Sequence, residues 1–456
     1  MTELNRRVSE EGGSPPALYK LCNQVKHYDW GSPDWIPRLL GAENPEALPW
    51  AELWMGSHPG SPSRVSVPTE KGAGQGAASE GSLSLGELIA ENPARFLGVE
   101  GARRFTGLPF LLKLLAAAKP LSIQAHPNLE QAKAGFEREN CAGLPPDAPE
   151  RNYKDPNHKP EIICALSPFT GMCGFRGAAE IREGLERFLS PAPRSLKRGF
   201  PPLFKALENR DEPAALGEFL AAVFGLSAGL REELTAYILG AGSPPGAEGP
   251  GLARGEIIRR LAELYPGDPA VLAPLYLNLF RLEPGEAVFL HAGVLHAYLQ
   301  GLGVELMANS DNVLRGGLSS KHVDLPELMR ILDFKPMKPA IIRPPEKTDP
   351  GETAASSFVY PSPCDEFSLA VHRSGGGEML FSGGGLAVCV VTRGRLEIAA
   401  AQAGAAPPAV ILKQGESVFI PAAENGKLLF RGDYTAYSAS IPGGAGGGRP
   451  AKPAAP

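Results

Sequence analysis

Two stretches of the chain can be laid directly on one another. They are Glu283-Pro284-Gly285-Glu286-Ala287-Val288-Phe289-Leu290 and Lys413-Gln414-Gly415-Glu416-Ser417-Val418-Phe419-Ile420. Each reads as a Gly-Glu turn entering a buried strand. Two copies of such a unit predict two jelly-roll β-barrels in one chain. His296 follows the first copy, and the equivalent position in the second is Gly426. The second barrel is therefore expected to lack whatever His296 does and to be structural.

The rest of the chain fits a mainly β protein with one exception. Short apolar or alternating runs are cut by Pro/Gly turns, as in Leu386 to Val391 and Ala409 to Leu412. Between residues 176 and 280 the period changes. Ile181, Leu185, Phe188 and Leu189 recur at helical spacing, as do Ile257, Ile258, Leu261, Leu264 and Tyr265, until Pro266-Gly267 stops the run. The expected fold class is two cupin/jelly-roll barrels with an inserted all-α helical domain. The expected boundaries are 18–175 for the first part of the catalytic core and 176–280 for the helices. The rest of the first barrel is expected at 281–345 and the second barrel at 346–442. Gly/Ala/Ser-rich stretches predict a flexible insertion near 68–82, a link at 240–251 and a disordered tail at 443–456.

Composition narrows the function classes. The 456 residues allow two or three domains, with 43% hydrophobic and 21% charged residues. The formal net charge is −5 and no basic block stands out, so neither nucleic acid nor an anionic membrane is an expected partner. No apolar run reaches the roughly 18 residues of a membrane span. The polar N-terminus lacks the apolar core of a signal peptide. Six scattered cysteines without a CxxC pair read as reduced thiols in a cytoplasmic protein.

Four segments carry chemistry. In Leu121 to Pro127 apolar and polar residues alternate, so Ser122, Gln124 and His126 share one face of a strand. An amide oxygen and an imidazole on adjacent rungs suit a metal lining a barrel. A solvated outer face is the rival reading, but the preceding Phe110 to Leu115 is too apolar for one. Lys159 and Glu161 sit one rung apart before the apolar Ile162 to Leu166, where a carboxylate needs a partner or a metal. A plain Lys–Glu pair at a strand end explains that segment equally well by itself. His296 and Tyr298 share a face, and His296 gains weight as a ligand only from the partners offered elsewhere. Gly303 to Gly317 ends in an Asn/Ser/Asp/Asn run and then Arg315 beside paired glycines, a loop able to bring a guanidinium to a phosphate or an enediolate.

Taken together, these segments resemble the type I mannose-6-phosphate isomerase family, which is built on cupin barrels. The matching stretches, in the family's order, begin with Tyr28-Asp29-Trp30-Gly31 and Ala51 to Pro59. They continue with Leu121 to Pro127, Asn157 to Leu166 with Cys173 to Arg176, His296-Ala297-Tyr298 and Ser310 to Gly316. The resemblance implies one zinc ion per subunit held by Gln124, His126, Glu161 and His296, and a catalytic Arg315. It places Ser122, Lys113, Lys159, Glu305 and Tyr298 along the pocket. His291 departs from the family by replacing a proline.

The implied reaction interconverts mannose 6-phosphate and fructose 6-phosphate through a cis-enediol. Two imidazoles, a carboxylate and an amide oxygen would leave Zn²⁺ about one positive charge, enough for Lewis-acid work. Glu305, Lys159 or a water on the metal are the candidate bases, with a structural salt bridge the rival role for Glu305. Ser122 and Lys113 are candidates to hold the phosphate, Lys113 because an amine set between leucines should face inward and be paired. The expected partner is a small sugar phosphate and the expected state a monomer. Two rivals stand beside this: an Fe(II) cupin dioxygenase, disfavoured by the glutamine ligand, and a sugar-binding cupin without catalysis, disfavoured because every ligand and Arg315 are present.

Overall fold

The computed structural model describes residues 18–67, 81–240, 254–345, 354–381, 385–401, 409–424 and 426–443. Most of the expected insertion at 68–82, most of the link at 240–251 and nearly all of the tail at 443–456 lie outside the described residues. The described part is built from two large antiparallel β-sheets and a block of helices between residues 178 and 276. No single helix among the described residues is long and apolar enough to cross a membrane. All six cysteines are free.

One sheet carries the candidate site. Its strands run in the order Ile341–Ile342, Ala287–Leu290, Glu161–Ala165, His296–Ala308, Phe110–Ala117, Glu52–Gly56 and Gln24–Lys26. Every residue of Phe110–Ala117 is buried, so this strand is covered on both faces. On one face Leu112, Leu114, Ile162, Val304 and Leu306 join Val371, Val388, Val390 and Phe419 of the other sheet in a single apolar core. On the other face Lys113, Glu305 and Glu161 point into the interior beside Ile163 and Leu115.

The second sheet departs from the expected boundaries. Its strands Ser356–Tyr360, Ser368–Phe381, Leu428–Ser440, Ala387–Ala400 and Ser417–Ile420 come from the C-terminal part, but the order continues into Tyr19–Cys22, Arg64–Val67 and Gly81–Ser84. Tyr19 pairs with Phe419 and Lys20 with Val418. The N-terminal strands assigned by sequence to the catalytic core are therefore divided between the sheets. Register across such a sequence distance leaves no local trace, because strand pairing is set by tertiary packing.

The helices form where the apolar stripe predicts them. Ala178–Leu189 buries Ile181, Leu185, Phe188 and Leu189, and the Glu180 carboxylate accepts from the Gly177 N–H at its start. Arg254–Leu264 buries Ile257, Ile258 and Leu261, and Gly267 at φ +80° turns the chain away. The block then packs on the site through Asp268. Its carboxylate accepts from the N–H groups of Ala270 (2.9 Å) and Leu318 (2.6 Å), which pins the loop after Arg315. Gly317, at φ +100°, has no room for a Cβ against Ala270 and Asp268.

A polar link also joins the sheets near the site. His158 Nε2 lies 2.8 Å from Glu366 Oε1. Burial raises the Glu366 carboxyl, but the His158 contact outweighs it and holds the group below its ordinary value. A carboxyl with a depressed folded-state pKa adds stability above about pH 4.3, its unfolded value, and that stability is lost as pH falls through the lower folded value. Both groups are partly solvated, so the contribution is about 0.5 kcal/mol. Glu366→Gln should therefore match the parent's stability in strong acid and fall slightly below it near neutral pH. A denaturant titration under both conditions checks this, and equal losses in both would refute it.

Candidate metal centre

Three backbone segments converge at one end of the site-bearing sheet. Glu161 opens the strand Glu161–Ala165, and His296 opens the strand His296–Ala308. Gln124 and His126 lie on the segment 121–126. The sequence predicts a regular strand there, but the ladder is only two residues long, Gln124–Ala125. The reason is that its partners change along its length. Leu121 N–H bonds Tyr298 O, Gln124 pairs with His296 and Arg315, and Ile123 exchanges hydrogen bonds with Gly316 and Gly317. The alternation still places Gln124 and His126 together.

The three strongest donors meet. Ligand atoms of His126, Glu161 and His296 all lie within 4.8 Å of one another. His126 Nε2 is 3.4 Å from Glu161 Oε1, and His296 Nε2 is 3.5 Å from Glu161 Oε2. Gln124 Nε2 is 3.4 Å from His296 Nε2. An amide can be turned over without disturbing its surroundings, so the Gln124 oxygen can face the same point. Each imidazole donates Nδ1–H to a backbone carbonyl, His126 to Asn312 O (2.7 Å) and His296 to Val294 O (2.9 Å). That fixes the tautomer and aims both Nε2 lone pairs inward, as metal-binding histidines require.

These donors fit a divalent cation. His126 Nε2 and Glu161 Oε2 are buried and lack a hydrogen-bond partner, which is costly unless something positive sits between them. Burial pushes the His126 imidazole down to about 4, so it is a neutral lone-pair donor. Burial alone would raise Glu161, but the Lys159 ammonium at 3.1 Å and the two histidines hold it well below the carboxylate range. Mixed imidazole, carboxylate and amide ligands suit zinc better than calcium or magnesium. The group would be held by Gln124, His126, Glu161 and His296.

A second polar cluster adjoins the first. Lys113 Nζ is 2.9 Å from Glu305 and 3.6 Å from Glu52, whose other oxygen accepts from Trp54 Nε1 at 2.7 Å. Expected at the phosphate, Lys113 is instead enclosed by two carboxylates and the Trp54 ring. Burial raises Glu305, reinforced by the Glu161 and Glu52 charges and opposed by Lys113. Tyr298 is also enclosed, with its ring on Phe169 and its hydroxyl pushed far up by burial and then by Glu305 and Glu161. Even-numbered His296 and Tyr298 share the interior with odd-numbered Glu305 because the register shifts after Tyr298. Ser122 is half-buried on the Gln124 segment.

Arg315 pairs through its backbone with Gln124. Its guanidinium is partly buried and makes no ion pair among the described residues, and burial lowers its pKa. Lys321 feels Arg315 and Lys154 as neighbouring charges. His291 lies outside the site. It is exposed, meets the Phe289 ring edge-on, and takes part in a turn closed by Val294 N–H.

Sequence reasoning missed Asn312. Its side chain accepts from Lys154 N (2.7 Å) and donates to Asp155 O (2.7 Å) and Asn157 O (2.9 Å), while its backbone carbonyl orients His126. The Asn/Ser/Asp/Asn run was the available signal, but it reads equally as a solvated turn. Asn312→Ala should weaken zinc binding about 10- to 100-fold without removing a ligand. Competition with a chromophoric chelator checks this, and an unchanged affinity would deny Asn312 that role.

Comparison with known proteins points to one family. The description "Phosphomannose isomerase type I, catalytic domain" matches residues 18–178. Mannose-6-phosphate isomerase of Escherichia coli K12 is 38% identical over 410 residues, covering 90% of this chain and 96% of its own. The Homo sapiens enzyme is 36% identical over 338 residues, 70% of this chain and 74% of its own. The structure of the Salmonella typhimurium enzyme bound to its substrate and to zinc superposes with a TM-score of 0.77 at 35% identity, covering 93% of this chain and 100% of that one. With the donor set in place and the Escherichia coli relative matched over 96% of its own length, the chain belongs to the type I mannose-6-phosphate isomerase family.

Proposed function

We propose that this chain is a zinc-dependent aldose–ketose isomerase that interconverts D-mannose 6-phosphate and D-fructose 6-phosphate through a cis-enediol. The observation that carries the reading is the convergence of His126, Glu161 and His296 on one point, with the unpaired Arg315 paired by backbone to Gln124. The single His/Glu cluster among the described residues supports one ion per chain. Bound there, zinc supplies Lewis-acid stabilisation of a substrate oxygen.

The chain's own residues divide the remaining work. Arg315 holds the negative charge that develops on the enediolate, where a fixed and partly desolvated guanidinium is most effective. Lys321, which has both Arg315 and Lys154 as neighbouring charges, gives that side of the pocket a positive field for the phosphate. Glu305 is assigned the base that moves the proton between C2 and C1. Its raised pKa brings it nearer the working pH, and Lys113 fixes its orientation. Lys159 orients and partly neutralises Glu161. Ser122 and Tyr298 line the pocket.

We further propose that the two sheets are two cupin-type barrels. The repeated turns support this. Glu283 N–H bonds the Glu286 carboxylate and Lys413 N–H bonds the Glu416 carboxylate, at 2.9 and 2.7 Å. Gly285 N–H bonds Ala165 O and Gly415 N–H bonds Val391 O, and the two glycines have φ +94° and +86°. The helices at 176–280 form the inserted domain.

The test is isomerisation of mannose 6-phosphate by purified protein before chelation, after it, and with zinc restored. Activity that chelation removes and zinc returns is expected. A folded, zinc-loaded protein without turnover would leave a sugar-binding cupin as the reading, and restoration by Fe(II) alone would favour the oxygenase class.

A further inference from the structure

A cleft of about 380 Å³ opens between the two sheets, away from the metal centre. One wall is the turn at Pro284-Gly285 with Ala165, Leu166 and Leu302, and the other comes from the C-terminal strands, with Arg373, Thr392, Arg393, Thr435 and Tyr437. Ala165 ends the strand that Glu161 begins. Four steps of about 3.3 Å each separate the cleft from that ligand by roughly 13 Å.

The two arginines differ. Arg393 is exposed and donates to Asp433 at 2.8 Å. Arg373 is half-buried, and no side chain or carbonyl among the described residues accepts a hydrogen bond from its guanidinium. It is held close to Gly285, where a Cβ would lie 2.7 Å from Nη2. It is also near enough to the Tyr437 hydroxyl to lower its pKa against the rise from burial. A guanidinium that is partly desolvated without an acceptor is unfavourable, and its planar fork is matched by a phosphoryl group. The cleft is at the small end of the range for ligand sites, and its apolar walls of Leu39, Leu166 and Leu302 leave room for more than a bare anion.

We propose that this cleft is a second anion site, binding a phosphomonoester with its phosphoryl group between Arg373 and Arg393. The site is separate from the substrate pocket and does not depend on turnover. Occupied, it would tie the Gly285 turn of one sheet to the Arg373 strand of the other.

Zinc-loaded crystals grown without sulfate or phosphate and soaked in tungstate, an electron-dense phosphate analogue, test this directly. Density is expected beside Arg373 in the parent protein and absent in Arg373→Ala, while any tungstate beside Arg315 is unchanged between the two. In solution, inorganic phosphate should raise the melting temperature of the parent more than that of Arg373→Ala, with Arg373→Lys in between. A larger shift from glycerol phosphate than from inorganic phosphate would identify an organic phosphomonoester, and equal shifts the free anion. No density beside Arg373 in the parent, or density that survives Arg373→Ala, overturns the proposal. The presence or loss of tungstate at Arg315 bears only on the isomerase reading.

Discussion

Glu161→Gln is expected to remove isomerase activity to background and to leave the purified protein with little zinc. Glu161 contributes the only carboxylate of the four donors and touches both histidines. Glutamine keeps the shape and loses the charge. Loss of an outer-shell partner already costs about 10- to 100-fold in affinity, so loss of the charged ligand itself should exceed this. The substitution also strands the Lys159 ammonium, 8% exposed and 3.1 Å from the lost charge. Breaking one side of a buried ion pair costs about 3–5 kcal/mol, so the metal-free variant should also melt earlier than the metal-free parent. Adding Lys159→Met should recover most of that stability and none of the zinc. Zinc content, calorimetric melting and turnover on the same samples separate the two effects. A Glu161→Gln protein that retains a full equivalent of zinc would refute the ligand assignment.

Arg315→Ala should act differently. Its guanidinium makes no hydrogen bond or ion pair with a metal-ligand side chain among the described residues, so zinc content and melting temperature should stay close to the parent. Turnover should fall about 10²–10³-fold, the usual consequence of removing one donor to a developing oxyanion. Arg315→Lys should recover little, because an ammonium cannot reproduce a two-pronged contact. If kcat were unchanged and only KM rose, Arg315 would hold the phosphate in the ground state and would not act on the transition state.

The sequence made much of this site legible. Gln124, His126 and Glu161 could be placed by strand alternation, since a period of two is local and survives even where the ladder shrinks to two residues. The helical stripe through Ile181, Leu185, Phe188 and Leu189 was equally local. What could not be read depended on distant backbone. The register shift after Tyr298 brings Glu305 to the interior face, and a strict count of odd and even positions would have put it outside. Lys113 was correctly read as an inward-facing, paired amine, but its partners Glu52 and Glu305 come from strands on either side. Asn312 matters through a backbone carbonyl, which no residue type announces.

The pairing of Tyr19 with Phe419 has a consequence for how the chain is made. A ribosome releases the first strand long before the one that completes its sheet exists. Until Ser417–Ile420 emerges, Tyr19–Cys22 can find its other neighbour, Arg64–Val67, but keeps one edge open. Closing a contact of this sequence separation is slow, and an open edge is a place for chains to stick together. A transcript cut short of the last strands would yield an N-terminal portion with all four metal ligands and no finished fold, a product for the cell's proteases.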